Sequence, residues 1–333
     1  MKPRERVKAA LAHQVPDRVP RFEIWIDALL EDLGQTDIPS AHVNLGQDCV
    51  MMPTQTPPGS NAWKTGVDEW GRVWKDGMYV DGAVDTEEDL DRYSPRLSYV
   101  EEHFDDDWVR EVQARYPDHC HIYGSHIGPL TAGYMAMGFE RFFLRLADDP
   151  AFIHKLLANR TEWCIAMFHK AVSLGAEVLV VGDDAAYRDG PMISPRMWRE
   201  FVLPYHRQIV DSVDVPVLWH SDGNTERLLP FGIEAGFAGF HGLEPAAGMD
   251  LGRIKQEYGG DLVLIGNVDV RVLCEPDLKA VRAEVDRCIG QGAAGGGYML
   301  ATCNSIFEGM NPLTVAEMFR YEGEVGFYYL RKN

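Results

Sequence analysis

A single (β/α)8 TIM barrel spanning residues 1–333 is the fold class this sequence predicts, on three observations. Eight short runs rich in valine, isoleucine, leucine and tyrosine recur along the chain, and several are apolar at nearly every position, as strands covered on both faces are. Longer stretches with apolar residues at helical spacing lie between most of them, so strands and helices alternate around a parallel sheet. No glycine-rich GxGxxG follows the first run, which continues as EIWIDALL; an open dinucleotide-binding sheet would place its phosphate loop there.

In chain order the strands are expected at Val19–Trp25, Cys49–Met52, His121–Ser125, Val178–Gly182, Val215–His220, Phe237–His241, Leu262–Gly266 and Tyr298–Thr302. Helical periodicity is clearest in ERFFLRLADDPAFIHKLLANRTEWCIAMFHKAVSLG. A second helical segment opens with Ser194–Pro195, an N-cap followed by a first-turn proline. Trp63–Gly77 breaks the alternation and reads as a β-hairpin turning near Gly71, an excursion from the barrel rim. GGGYML precedes a strand instead of following one, which makes it a poor phosphate loop.

Composition narrows the function. The net charge of −19 and the lack of any Lys/Arg cluster argue against nucleic acid, which needs a basic face, and against anionic membrane surfaces. The chain lacks an apolar run of the roughly 18 residues that a span needs, and the first 20 residues carry charges where a signal peptide would be apolar. The six cysteines are scattered without a CxxC or a disulfide-framework spacing. A cytoplasmic protein with no nucleic-acid or membrane partner is expected.

Barrels of this class carry their chemistry just after each strand, at the C-terminal face. Those positions hold Asp27, Asp48, His126, Asp183 and Asp184, His220 and Asp222, Glu244, Asn267 and Asp269, and Cys303 and Asn304. The strongest combination is His220 with Asp222, two apart on an extended turn, and Cys303 at the end of the last strand. Together they would bind zinc and leave a coordination position open, the mark of a catalytic site. Asp184 and Glu244 are candidates to complete the shell or to handle a proton, with Asp48 and Tyr134 as further catalytic candidates. Trp25, Asp27, His126, Asp183, Tyr187, Asn267 and Asp269 are candidates for binding substrate, with Trp198 and Phe307 as possible aromatic walls. The run His119-Cys120-His121 is discounted, because it sits at a strand start.

The segments GPLTAGYMAMG, LADDPAFIHKLL, GDDAAYRDGPMISPRMWREFVLPYHRQIV and VPVLWHSDGNTERLLPFGIEAGFAGFHGLEPAAGMDL, with LIGNVD and ATCNSIFEGMNPLTVAEMF, together resemble the uroporphyrinogen decarboxylase superfamily. That resemblance implies a (β/α)8 fold and leaves two branches. The true decarboxylases bind a polycarboxylate tetrapyrrole and carry an RQAGR motif after the first strand. This chain has Phe22-Glu23-Ile24-Trp25-Ile26-Asp27 there, and carboxylates in place of arginines would repel that substrate. The other branch is similar to corrinoid-dependent methyltransferases, some of which hold zinc with His-x-Cys after the fifth strand and a second Cys after the eighth. His220 and Cys303 match those places, and Asp222 replaces the first cysteine. A carboxylate in place of a thiolate makes a harder Lewis acid, better suited to an oxygen leaving group.

The leading expectation is therefore a zinc-dependent methyltransferase that moves a methyl group from a small methylated, possibly O-methyl, substrate to a separate corrinoid (cobalamin) protein. The chain has no DxHxxG corrinoid module, so the cobalamin is expected on a partner. The alternative is a metal-free decarboxylase of the uroporphyrinogen type, in which Asp48 or Asp27 stabilises a protonated intermediate. A third reading is a catalytically silent docking barrel.

Overall fold

A computed structural model describes residues 1–26, 37–54, 65–94, 97–125 and 128–330 of the chain. Twelve strands are assigned among them: β1 Cys49–Met51, β2 Gly66–Val67, β3 Arg72–Lys75, β4 Met78–Gly82, β5 Cys120–Ser125, β6 Val178–Gly182, β7 Ala186–Tyr187, β8 Gly190–Pro191, β9 Val217–His220, β10 Gly239–His241, β11 Val263–Val268 and β12 Tyr298–Thr302. Seven of these form one curled sheet in the order β1-β5-β6-β9-β10-β11-β12. Every pairing in it is parallel. The fold is thus α/β, with helices returning the chain between successive strands.

Alternation along each strand divides the core in two. Ile122, Val178, Val180, Leu218, Val263, Ile265, Met299 and Ala301 belong to a cluster on the concave side of the sheet. Their neighbours Leu179, Val181, Trp219, Phe240, Leu264 and Leu300 pack with the helices. Both sets are buried, which is why these runs are apolar at nearly every position.

The first expected strand, Val19–Trp25, differs from the expectation. It is not assigned as a strand and makes two isolated parallel bridges, Arg21 to Leu300 and Ile26 to Ile306. Side chains interrupt its ladder. The Glu23 amide donates to Gln47 Oε1 at 2.9 Å, and the Thr302 amide donates to the Glu23 carboxylate at 2.9 Å. Backbone bonds still run to both edges of the sheet: Phe22 N to Leu300 O, 2.9 Å, and Asp48 N to Arg21 O, 2.9 Å.

The hairpin expected at 63–77 is a three-stranded antiparallel meander, β2-β3-β4. Its first turn carries Gly71 at φ +81°, a conformation that favours glycine; positions 63 and 64 lie outside the described residues. The Ser194 hydroxyl caps the helix Pro195–Phe201 by accepting from the Met197 amide, 3.2 Å, as expected. Among the described residues no helix is long and apolar enough to cross a membrane.

A charged network ties the foot of the sheet together. The buried Asp48 carboxylate pairs with Arg6, 2.5 Å, and Arg18, 2.9 Å, and accepts from the Arg21 amide, 2.9 Å. The Arg21 guanidinium pairs with the buried Glu322 on the helix Pro312–Leu330. Asp48 precedes β1, so it sits at the N-terminal face with its charge neutralised. This corrects the expectation of a catalytic Asp48.

Candidate metal and substrate site

The loops after β6, β9 and β10 meet at the C-terminal end of the sheet. His220 ends β9, and its register partners are Gly182 on β6 and His241 on β10. His220 lies two residues beyond Leu218, and so on the concave side. Beyond it, Ser221-Asp222-Gly223 turns sharply. The Asp222 amide donates to Asp184 Oδ1, 3.0 Å, and the Gly223 amide donates to Glu244 Oε2, 3.1 Å. Ser221 Oγ accepts from the Ala185 amide, 3.0 Å. Three strand ends are thereby laced into one structure.

Gly223 has φ +78°, and a Cβ there would lie 2.5 Å from the Ala186 carbonyl oxygen. Gly223→Ala is expected to cost about 1–3 kcal/mol and to displace Asp222; thermal melting checks the first effect.

Donor atoms of Asp184, His220 and Asp222 all lie within 4.8 Å of one another. His220 Nε2 is 3.8 Å from Asp222 Oδ1, near the ~3.4 Å that two zinc bonds of ~2.0–2.1 Å would span at a tetrahedral angle. Asp222 Oδ1 is buried and has no hydrogen-bond donor, while Oδ2 accepts from Asn304 Nδ2, 2.6 Å. Burial first, and then the charges of Asp184 and Glu244, together push the Asp222 carboxyl up to about 7, against the Asn304 amide, which lowers it. Two carboxylates, an imidazole and an orphaned buried oxygen fit a divalent cation, which would relieve this repulsion.

Cys303 is buried at the end of β12 and is not one of that trio. Burial drives its thiol pKa strongly upward, and the charges of Asp269, Glu244 and Asp222 add to the shift. Trp25 lies edge-on to His220, with ring centroids 4.8 Å apart. Tyr134 packs against Phe139, Phe142 and Phe143, and its hydroxyl pKa is raised by burial and by the charge of Asp184. Tyr187 is exposed on the β7–β8 hairpin.

Several expectations are corrected. Asp183 points away from the site: it is fully buried, accepts from the Thr131 amide at 2.7 Å and lies 2.7 Å from His206 Nε2. Asn267 is fully buried and donates to the Leu243 carbonyl, 2.6 Å, while its Oδ1 accepts from Arg287, 3.0 Å. Asp269 caps the helix Val270–Cys274 and pairs with Arg271, which holds its carboxyl below the usual range. Trp198 belongs to the core, 5.6 Å from the Trp219 ring, and Phe307 is half-buried against the same core. Asp27 and His126 lie outside the described residues.

Two residues with a part in the site were not singled out. Asn304 was noted only as a strand-end neighbour of Cys303, and its hydrogen bond to Asp222 is tertiary. His241 lies with Nδ1 2.8 Å from His220 Nδ1, and its place at the end of an apolar run was the available signal.

Comparison with known proteins follows from this geometry. A family model described as Uroporphyrinogen decarboxylase (URO-D) matches residues 70–324. A methylated-thiol–coenzyme M methyltransferase of Methanosarcina mazei is 26% identical over 66% of this chain and 50% of its own length. A uroporphyrinogen decarboxylase of Azotobacter vinelandii is 28% identical over 67% of this chain and 62% of its own. The matches thus span about half to three-fifths of these relatives. A solved structure, a methyltransferase from Methanosarcina mazei, superposes with a TM-score of 0.74 over 98% of this chain and 99% of that one, at 21% identity; the two share a fold.

Proposed function

This chain belongs to the uroporphyrinogen decarboxylase (URO-D) family, and on that premise we propose that it is a zinc-dependent methyltransferase. It would take a methyl group from a small O-methyl substrate and deliver it to a corrinoid carried by a separate protein. The observation that carries this reading is the cluster of Asp184, His220 and Asp222, with its buried, donorless oxygen. The likeness to a methyltransferase relative supports the branch. We also read residues 19–26 as an eighth stave that closes the sheet into a (β/α)8 barrel, because their backbone bonds reach both edge strands.

In this reading His220, Asp222 and Asp184 are ligands, and Cys303, whose thiol feels the charges of Asp222 and Glu244, supplies the fourth. Bound zinc would supply Lewis acidity to the ether oxygen, whose bond to the methyl carbon breaks. The partner's Co(I) would supply the electron pair of the new bond to the methyl carbon, the C–O pair would leave on the oxygen, and a proton would be needed there. Glu244, anchored by the Gly223 amide, is placed to handle that proton. Trp25 and Tyr187 flank the entrance as apolar walls. Asp184, Asp222 and Glu244 would repel carboxylate-rich substrates such as tetrapyrroles.

Zinc titration of the purified protein at several pH values tests this. Asp222 has its pKa raised to about 7, so below that value an incoming ion must displace a proton. Affinity is expected to rise about tenfold per pH unit below about pH 7 and then to flatten. A protein that binds no zinc at any pH overturns the reading.

A further inference from the structure

Building on the reading that Asp184, His220 and Asp222 hold a cation, we infer that His241 is a positioning residue: in the metal-bound form it accepts from Nδ1 of His220 and so holds that ring with Nε2 directed at the ion. The two histidines end adjacent parallel strands and are direct register partners. Their rings lie side by side, centroids 4.9 Å apart with 36° between planes. His241 is fully buried and His220 is 2% exposed. Trp25 lies edge-on to both rings, at 4.8 and 6.1 Å, and restricts their rotation.

Nδ1 of one ring is 2.8 Å from Nδ1 of the other. At that distance the two nitrogens share one proton, because two lone pairs or two N–H groups would repel. Two arrangements follow for the neutral rings. If His241 donates, His220 carries its own proton on Nε2, the nitrogen facing Asp222, and that nitrogen cannot ligate. If His220 donates from Nδ1, its Nε2 lone pair is directed toward Asp222, and His241 carries its proton on Nε2. Metal capture selects the second arrangement. His241 then serves as the acceptor that fixes the ligand ring and raises its basicity, a part carboxylates and carbonyls take elsewhere.

A packing role alone would be indifferent to which atom stands at the Nδ1 position. His241→Asn places an acceptor oxygen close to that position, whereas His241→Leu fills the volume without one. Zinc titration of both variants beside the wild type, with thermal melting of the metal-free proteins, separates the roles. His241→Leu is expected to bind zinc about 10–100-fold more weakly, and His241→Asn within ~3-fold of wild type. In the zinc-loaded wild type, ¹⁵N shifts are expected to place protons on His220 Nδ1 and His241 Nε2. Equal affinity of His241→Leu and wild type, or equal weakness of the two variants, overturns the inference alone. Should His241→Leu not fold, a proton found on His241 Nδ1 in the zinc-loaded wild type overturns it. A wild type that binds no zinc removes the underlying reading and this inference with it.

Discussion

His220→Ala is expected to abolish methyl transfer and to lower zinc affinity by more than the ~100-fold that losing an outer-shell partner costs. The side chain is buried at the centre of the donor cluster, and its register position fixes where Nε2 points. Truncation to alanine removes one of three donors and leaves Asp184 and Asp222 facing each other with less to hold a cation between them. Metal content by elemental analysis, read beside the rate of methyl transfer to cob(I)alamin, checks both effects. Full activity in a zinc-free His220→Ala protein would end the proposed mechanism.

The second large effect is on stability, at the residue next to a proposed ligand. Asp183→Ala is expected to cost about 3–5 kcal/mol, because it takes the shared acceptor away from several buried groups at once. Asp183 accepts from the Leu130 and Thr131 amides at the start of the helix Pro129–Met137 and faces His206 on the helix Leu203–Asp211. Without it these buried donors have no acceptor. Asp184→Ala is half-buried and is expected to melt near wild type while losing zinc. Denaturant unfolding of the two variants, paired with zinc titration, reads the contrast. Equal destabilisation of both would show that the division of labour is wrong.

That contrast shows what the sequence made legible. Seven of the eight expected strands are present within a few residues, because apolar runs bounded by loops are a strong signal when both faces are covered. Strand parity carries a signal of the same kind: Val181 faces the helices, so Asp183, two residues on, faces them too. The same count puts His220 and Cys303 on the concave side with Leu218 and Ala301. Other placements depended on partners distant in sequence. Asn267 is held by Arg287, Asp269 by Arg271 after the strand has ended, and Asp48 by arginines 42 and 30 residues away. Residues 19–25 are not assigned as a strand for a related reason: no local pattern announces that the Gln47 and Glu23 side chains will take up amides that a ladder would otherwise use.

The charged network at the foot of the sheet bears on how the chain is made. Arg21 meets Glu322 across 301 residues of sequence, so the match exists only after residue 322 has left the ribosome. Until then Arg21 lacks its anion, while the bonds of residues 18–23 to Gln47, Asp48, Leu300 and Thr302 can already form. Vectorial synthesis would therefore bring Arg21 to its anion late, when the helix Pro312–Leu330 packs against residues 18–21. Nascent chains stalled before β12 emerges should leave residues 1–26 open to protease, and full protection is expected only once Glu322 has emerged.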